Sequence, residues 1–316
     1  MAEAAGPNAS HSASPSARRL ATLRIGTGLF VWIYLCVRTP HVLGFIDFPA
    51  SRFSGVGLCA PLASAPAAAW VWLATLAVWP LGLAFVLGWR FRICGPLFAV
   101  VAAFVLSYRN SFGMVFHTEN LALLHLVVLA LAPSATVLSW DAGAGRSPGS
   151  SSVEAEARWA ISTLCAITVA TYFVAGLAKL RFEGWSTDWM RGELLRAHVA
   201  FDNLRKVELG HVVAPLGPWL VRQGWVFAPL AWATLLLEVG APLALVHRRV
   251  GRWWAVAAWG FHFGVLWTMA ILFPYPLAGV GLASFFEAER VWETRGGRAF
   301  LRAVRIDAGA AVAGKT

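Results

Sequence analysis

The feature that most constrains this chain is an apolar run from Trp159 to Ala178 that contains no charged residue. As a helix, such a run is long enough to cross a hydrocarbon core about 30 Å thick. Similar runs recur in a chain that is 58% hydrophobic and 13% charged, whereas soluble domains carry about 25% charged residues. The mean hydropathy is +0.64. The sequence therefore predicts an all-α, polytopic membrane protein built as a helical bundle.

About eight apolar segments are predicted as membrane spans, the eighth of them short and half-inserted. The longest polar connection between them, residues 181–224, predicts a surface helix with Trp189, Leu194 and Leu195 towards the membrane. Residues 1–19 are Ala/Ser/Pro-rich and are predicted to be disordered. We assign 20–288 to the transmembrane domain and 289–316 to a basic tail. The predicted spans are residues 25–37, 68–88, 93–107, 117–131, 159–179, 226–246, 253–272 and 277–286.

The net charge of +10 comes mainly from arginines near the ends of the predicted spans and in the tail. This pattern is typical of topology signals rather than of a nucleic-acid surface. It predicts that both termini are cytoplasmic and that residues 181–224 are external, although they too contain several arginines. We expect a multi-pass protein of the cell membrane, plasma or inner, with lipids and a lipid-soluble small molecule as partners. No protein partner can be named from the sequence.

Motifs for common cofactors do not occur in a plausible context. The sequence has no dinucleotide-binding glycine pattern, no phosphate-binding loop and no paired-histidine zinc motif. The four cysteines are scattered without a CxxC pair, which argues against a disulfide or zinc framework. We expect no metal, and we read the cysteines within the spans as small apolar residues. The cysteines are Cys36, Cys59, Cys94 and Cys165.

Lys179 closes the apolar run with which we began. On a helix, Tyr172, Gly176 and Lys179 share one face, and Gly176 allows a second backbone to approach. An ammonium group deep in a bilayer costs about 2.5–3.5 kcal/mol. Lys179 is therefore either a functional group or a lysine that reaches up to the headgroup layer beside Trp185.

Two further ionisable residues lie within predicted spans. Glu238 lies in TLLLEVGAP and requires a polar partner, for which His262 or a Ser, Thr or Trp donor is a candidate. Glu238 is either functional or a structural acid bonded to a neighbouring helix. His262 lies among aromatic residues that suit either a flat quinone-like ring or ordinary packing. His125 is a weaker candidate, since a lone core histidine is usually satisfied locally.

The segment AGLAKL, followed by an acidic residue and Trp185, resembles the vitamin K-dependent γ-carboxylase superfamily. Its bacterial branch is the horizontally transferred transmembrane (HTTM) domain family. The LLEVGAP segment around Glu238 and the pattern H-F-x(5)-M-x(3)-F from His262 also resemble this family. In the animal carboxylase the matching motif ends in two lysines, and the second is the proposed base that deprotonates vitamin K hydroquinone. Lys179 matches that second lysine, and Ala178 stands at the first.

The resemblance implies a catalytic role for Lys179, with His117 and Asn120 matching an asparagine–histidine element of the family in altered order. It implies substrate contacts by Tyr172, Trp185, Glu238 and His262, a vitamin K-like hydroquinone and O2 as cofactors, and oxidation or epoxidation without protein γ-carboxylation. We also keep a second hypothesis, a non-enzymatic membrane protein that binds lipid or a peptide partner. The catalytic set is Lys179, His117 and Asn120, and the substrate-binding set is Tyr172, Trp185, Glu238 and His262.

Overall fold

The computed structural model describes residues 14–113, 119–144, 152–181 and 186–304. These residues form helices and connections, with no β-strand among them. Short 3-10 turns join several of the helices. The helices are α1 Pro15–Gly44, α2 Ala68–Leu87, α3 Phe91–Asn110, α4 Asn120–Leu131, α5 Trp140–Gly143, α6 Val153–Arg181, α7 Glu193–Glu208, α8 Gly217–Arg222, α9 Phe227–Val239, α10 Arg248–Met269, α11 Pro274–Leu277 and α12 Arg295–Ala303.

Within the described residues, four helices are long and apolar enough to cross a membrane: Pro15–Asp47, Ala68–Leu87, Phe91–Asn110 and Val153–Arg181. Asn120–Leu131 and Gly224–Val239 are shorter apolar helices. The prediction of about eight spans is therefore not confirmed for the described part of the chain. The predicted seventh span falls on α10, a helix that is not one of these four.

The prediction that the sixth and eighth spans are each a single helix is wrong. Helix α9 stops at Val239, and a 3-10 turn over Ala241–Leu245 follows it. The proline at 242 cannot donate a helical hydrogen bond, which explains the break. The segment predicted as an eighth span consists of the four-residue α11 and a 3-10 turn over Val280–Phe285.

The chain divides into two compact units, which we describe separately. The first comprises Met1–Met114, Leu126–Ile161 and Glu287–Thr316. Helices α1 and α2 approach closely there at Gly28, where an added Cβ would lie only 2.5 Å from Cδ1 of Phe85. One core cluster of this unit consists of Ala21, Ile25, Val86, Leu87, Leu138, Trp292 and Leu301.

The N-terminal disorder predicted for residues 1–19 is wrong from Pro15 onwards. Helix α1 begins at Pro15, where the missing N–H costs nothing, and the hydroxyl of Ser14 accepts a hydrogen bond from the amide of Ala17 at 3.2 Å. The described part of the basic tail also packs in this unit. Trp292 donates from Nε1 to the hydroxyl of Thr22 at 2.7 Å.

The α2–α3 turn is held by a carboxylate from a distant part of the chain. Gly88 ends α2 with φ 65°, and Arg90 precedes α3 with φ 43°. The two oxygens of Asp141 accept hydrogen bonds from the amides of Arg90 at 3.0 Å and Phe91 at 2.8 Å. Asp141 thus satisfies amide groups at the start of α3 that have no partner within the helix.

Arg24 is fully buried in this unit, although the sequence places it with the basic residues that precede the first span. Its guanidinium donates to the carbonyl of Phe85 at 3.2 Å and to that of Leu138 at 2.5 Å. The charge lies over the ring of Phe91, 5.5 Å from its centroid. Arg24 therefore joins three separate stretches of the chain instead of serving only as a topology signal.

The second unit comprises Val115–His125 and Ser162–Phe286. The polar connection after α6 folds onto α9, where Trp189 is buried against Ala231 and Leu235. Leu194 and Leu195 pack against the same cluster, so the prediction that these three residues face the membrane is wrong. The chain turns there at Gly192, with φ 82°, where a side chain would collide with the backbone at Ala228.

The same connection completes the C-terminal end of α10. Asn203 donates to the carbonyl of Thr268 at 2.9 Å, and the amide of Leu216 donates to the carbonyl of Trp267 at 3.0 Å. Lys206 pairs with Asp202 and donates to the carbonyl of Met269. These bonds satisfy the last carbonyls of the helix and fix the connection to it.

Candidate functional site

The centre of the candidate site is an ion pair between Lys179, in the last turn of α6, and Glu238, in the last turn of α9. Nζ of Lys179 donates to Oε2 of Glu238. The Glu238 side chain is 4% exposed and the Lys179 side chain 20%. The prediction that Glu238 is buried with a polar partner is confirmed, but the partner is Lys179 and not His262 or a Ser, Thr or Trp donor, as we expected.

The pair forms because the two helices touch at Gly176. A Cβ on Gly176 would lie 2.9 Å from Cβ of Glu238 and 3.0 Å from the amide nitrogen of Val239. Any larger residue would separate the backbones at this point. The spacing from Gly176 to Lys179, about one helical turn, then brings the amine to the carboxylate.

Trp189 covers the amine. Nζ of Lys179 lies 5.2 Å from the centroid of the indole ring, within the range of a cation–π contact. Nε1 of Trp189 in turn donates to the hydroxyl of Thr234 at 3.4 Å. The buried side of the lysine is therefore bounded by one acid and one aromatic face.

Tyr172 and His262 form a second pair. The hydroxyl of Tyr172 lies 2.7 Å from Nε2 of His262. Tyr172 stands on α6 seven residues before Lys179, which corresponds to about 10 Å along the helix axis. His262 is 6% exposed, and its Nδ1 has no hydrogen-bond partner among the described residues.

Aromatic rings enclose this second pair. Trp254 meets Tyr172 edge to face at 5.0 Å, and Phe273 lies 4.7 Å from His262 between ring centroids. Trp254 also donates from Nε1 to the carbonyl of Leu237, which precedes Glu238. The expectation of aromatic surroundings for His262 is confirmed, whereas a role in binding a substrate stays a prediction.

His125 belongs to a separate buried network. Its Nδ1 lies 2.9 Å from the hydroxyl of Tyr275, and its Nε2 lies 3.2 Å from the carbonyl of Leu164 and 3.1 Å from Oγ1 of Thr168. Both ring nitrogens therefore have partners within the protein. This agrees with the expectation that His125 is satisfied locally.

No contact among the described residues joins the remaining predicted site residues to the Lys179–Glu238 pair. Asn120 is the exposed first residue of α4. His117 and Trp185 lie outside the described residues. Their roles stay predictions. Among the side chains that the structure describes, no group of three or more His, Cys, Asp or Glu is placed to hold a metal ion.

An open apolar cleft of about 380 Å³ lies in the same unit. Residues of α7, α9 and α10 line it, and one of them is Thr234, the acceptor for Trp189. Trp189 therefore contacts Lys179 with its ring face and a wall of the cleft with its nitrogen. Other lining residues are Leu195, Val199, Leu237, Phe261 and Met269.

Apolar helices, a buried acid–base pair and a polar connection folded back onto the helices define a multi-pass, all-helical membrane protein. Residues 16–289 match the family profile of the HTTM domain. The chain therefore belongs to the HTTM domain family, as its AGLAKL and LLEVGAP segments led us to expect. No curated protein and no solved structure matches the chain.

Two features of the site differ from what the sequence predicts. The sequence predicts Trp189 on the membrane-facing side of a surface helix, and it does not identify Glu238 as the partner of Lys179. One signal pointed to that pairing: Lys179 and Glu238 are a base and an acid of opposite charge, each placed in a predicted span. A buried charge needs a partner of opposite sign.

Proposed function

We propose that this protein is a membrane enzyme that takes a proton from a lipid-soluble substrate of the hydroquinone class, with Lys179 and Glu238 acting together as the base. One observation carries the proposal: the amine and the carboxylate form a buried pair at the end of a helix long enough to span the bilayer. Tyr172 and His262 are the proposed substrate contacts beside it.

In the active form the pair is neutral, with the shared proton on Glu238, and the Lys179 amine accepts the proton of the substrate hydroxyl. This step ends with an ammonium, a neutral carboxylic acid and a phenolate anion. The ammonium then stabilises the new anion in surroundings of low dielectric constant, where charge–charge attraction is strong.

Molecular oxygen is the proposed co-substrate. Oxidation of a hydroquinone by O2 to the quinone epoxide places one oxygen atom in the epoxide. The other oxygen leaves as water with the two hydroxyl hydrogens. The resemblance of AGLAKL to the segment that holds the base of the carboxylase family suggests this reaction, and the apolar rings around Tyr172 and His262 suit a flat substrate.

The test separates proton transfer from ion pairing. Lys179→Arg retains the positive charge and can still pair with Glu238, but a guanidinium does not give up its proton at neutral pH. We expect Lys179→Arg and Lys179→Ala both to lose turnover of a reduced naphthoquinone in liposomes, measured as O2 uptake and epoxide formation. Arg158→Ala, which removes the exposed pair with Glu154, is the matched control.

A second function, that of a non-enzymatic membrane protein that binds lipid or a peptide, is favoured by a different observation. The amine, the carboxylate and the Tyr172 hydroxyl all have partners within the protein. On this view the ion pair only holds α6 against α9. The non-enzymatic function predicts that Lys179→Arg is as functional as the wild type. Wild-type protein that neither consumes O2 nor forms epoxide with reduced naphthoquinones would favour this function over the enzyme.

A further inference from the structure

The first compact unit contains a groove that the proposed function does not use. It is open, has a volume of about 620 Å³, and lies among the start of α3, the end of α4 and the start of α6. Because α2 and α3 are both long enough to span a membrane, the turn that joins them lies at a membrane surface. The groove beside that turn therefore lies at the level of lipid headgroups.

One wall of the groove is apolar and faces outwards. Ile93 is 68% exposed and Leu131 is 74% exposed, and both line the groove together with Pro96. Ile93 lies on α3, which is long enough to span the membrane, and exposed apolar side chains on such a helix lie against lipid chains. The wall therefore suits the first methylenes of an acyl chain.

The polar side of the groove carries charges of both signs. Arg90 and Arg92 are exposed, and neither guanidinium makes an ion pair with another described residue. Glu156 is also exposed and likewise makes no ion pair within the described ranges. The fourth charge belongs to Asp141, whose carboxylate accepts hydrogen bonds from the backbone amides of Arg90 and Phe91.

Asp141 is buried and also faces the buried guanidinium of Arg24, so the charges that meet a headgroup are Arg90, Arg92 and Glu156. An anionic headgroup without an amine would leave Glu156 without a partner, whereas a zwitterion can place its phosphate on the arginines and its amine on Glu156. Arginine binds phosphate oxygens in a bidentate manner, and a primary ammonium donates three hydrogen bonds to acceptors such as a carboxylate. A quaternary choline has no such donor.

We infer that this groove binds one phospholipid with a primary amine in its headgroup, of the phosphatidylethanolamine class. Arg90 and Arg92 hold the phosphate, Glu156 accepts the ammonium, and the acyl chains run along Ile93, Pro96 and Leu131. This site belongs to the first compact unit and does not rest on the proposed function.

The test is the lipid that the detergent-purified protein retains, measured by native mass spectrometry. The protein is offered equal amounts of phosphatidylethanolamine, phosphatidylcholine and phosphatidylglycerol with identical acyl chains. We expect the ethanolamine lipid to exceed the choline lipid about fivefold, as one exposed ion pair with hydrogen bonds allows. Equal retention of the two would overturn the inference, and a preference for phosphatidylglycerol would show a simple basic surface instead.

Two variants test the ammonium contact and the phosphate contact of the headgroup separately. Glu156→Gln should bring the ethanolamine-to-choline ratio close to one, and Arg92→Gln should lower retention of both lipids. Glu154→Gln is the matched control, because Glu154 is exposed on the same helix but pairs with Arg158. An unchanged ratio in Glu156→Gln contradicts the inference. Thermal unfolding of each variant excludes misfolding as the cause.

Discussion

The hydroxyl of Tyr172 and Nε2 of His262 lie 2.7 Å apart, and this is the only hydrogen bond that the described residues offer to the imidazole. Tyr172→Phe should therefore leave a buried ring without a polar partner. We expect the free energy of unfolding to fall by about 1–3 kcal/mol, measured by denaturation in detergent micelles. The control is Thr171→Val, an exposed neighbour whose hydroxyl bonds only within its own helix. Equal stability of Tyr172→Phe and wild type would contradict this account.

The ion pair gives a second prediction, on stability. Glu238→Leu leaves a part-buried amine without its counter-charge, and the cost is at most the roughly 3–5 kcal/mol of breaking a fully buried pair, reduced where the lysine stem reaches the headgroup layer. The double substitution Lys179→Met with Glu238→Leu removes both charges and should recover most of that loss. A thermal-shift assay on the single and double variants measures this. Additive losses in the double variant would show that the two side chains do not interact.

Arg24 provides a third prediction. Arg24→Met keeps an unbranched apolar stem but removes the guanidinium that donates to the carbonyls of Phe85 and Leu138. Hydrogen bonds from a charged group contribute about 1.5–3 kcal/mol each, so we expect a clear fall in the unfolding midpoint. Arg52→Met, at an exposed arginine, should have little effect. Equal midpoints for the two variants would be the contrary result.

Membrane topology gives the fourth prediction. Helix α6 is long enough to span the membrane, so single cysteines at Ala155 and at Glu208 should be labelled from opposite sides. Both positions are exposed, and the four native cysteines are replaced by alanine first. We expect position 155 on the cytoplasmic side and position 208 outside, from the distribution of basic residues. Labelling of both from one side would refute the arrangement.

Hydropathy located the helices because it depends only on neighbouring residues. The apolar runs that became α2 and α3 could be predicted to within three residues at each end, whereas α6 begins six residues before the predicted span. The end of α9 at Val239 has a local cause in the sequence, the proline at 242, but the predicted sixth span runs through it. Helix ends of this kind are decided by the balance between a lost hydrogen bond and tertiary packing.

The partners of the buried polar groups could not be predicted in the same way. Glu238 had several donors within reach of a plausible bundle, and the choice of Lys179 over His262 depends on the contact at Gly176. The position of Trp189 depends on how the connection after α6 folds back onto α9. Amphipathic pattern alone does not distinguish a helix that faces lipid from one that covers a protein core.

The ion pair has a consequence for the way the protein is made. Lys179 and Glu238 are separated by 59 residues, and the ribosome produces the lysine first. When α6 enters the bilayer, its counter-charge has not yet been synthesised. The lysine must then extend its flexible stem to the headgroup layer, which avoids the cost of a buried ammonium. The arrival of α9 permits the amine to withdraw from water, so this unit completes its fold only after the later helix has been inserted.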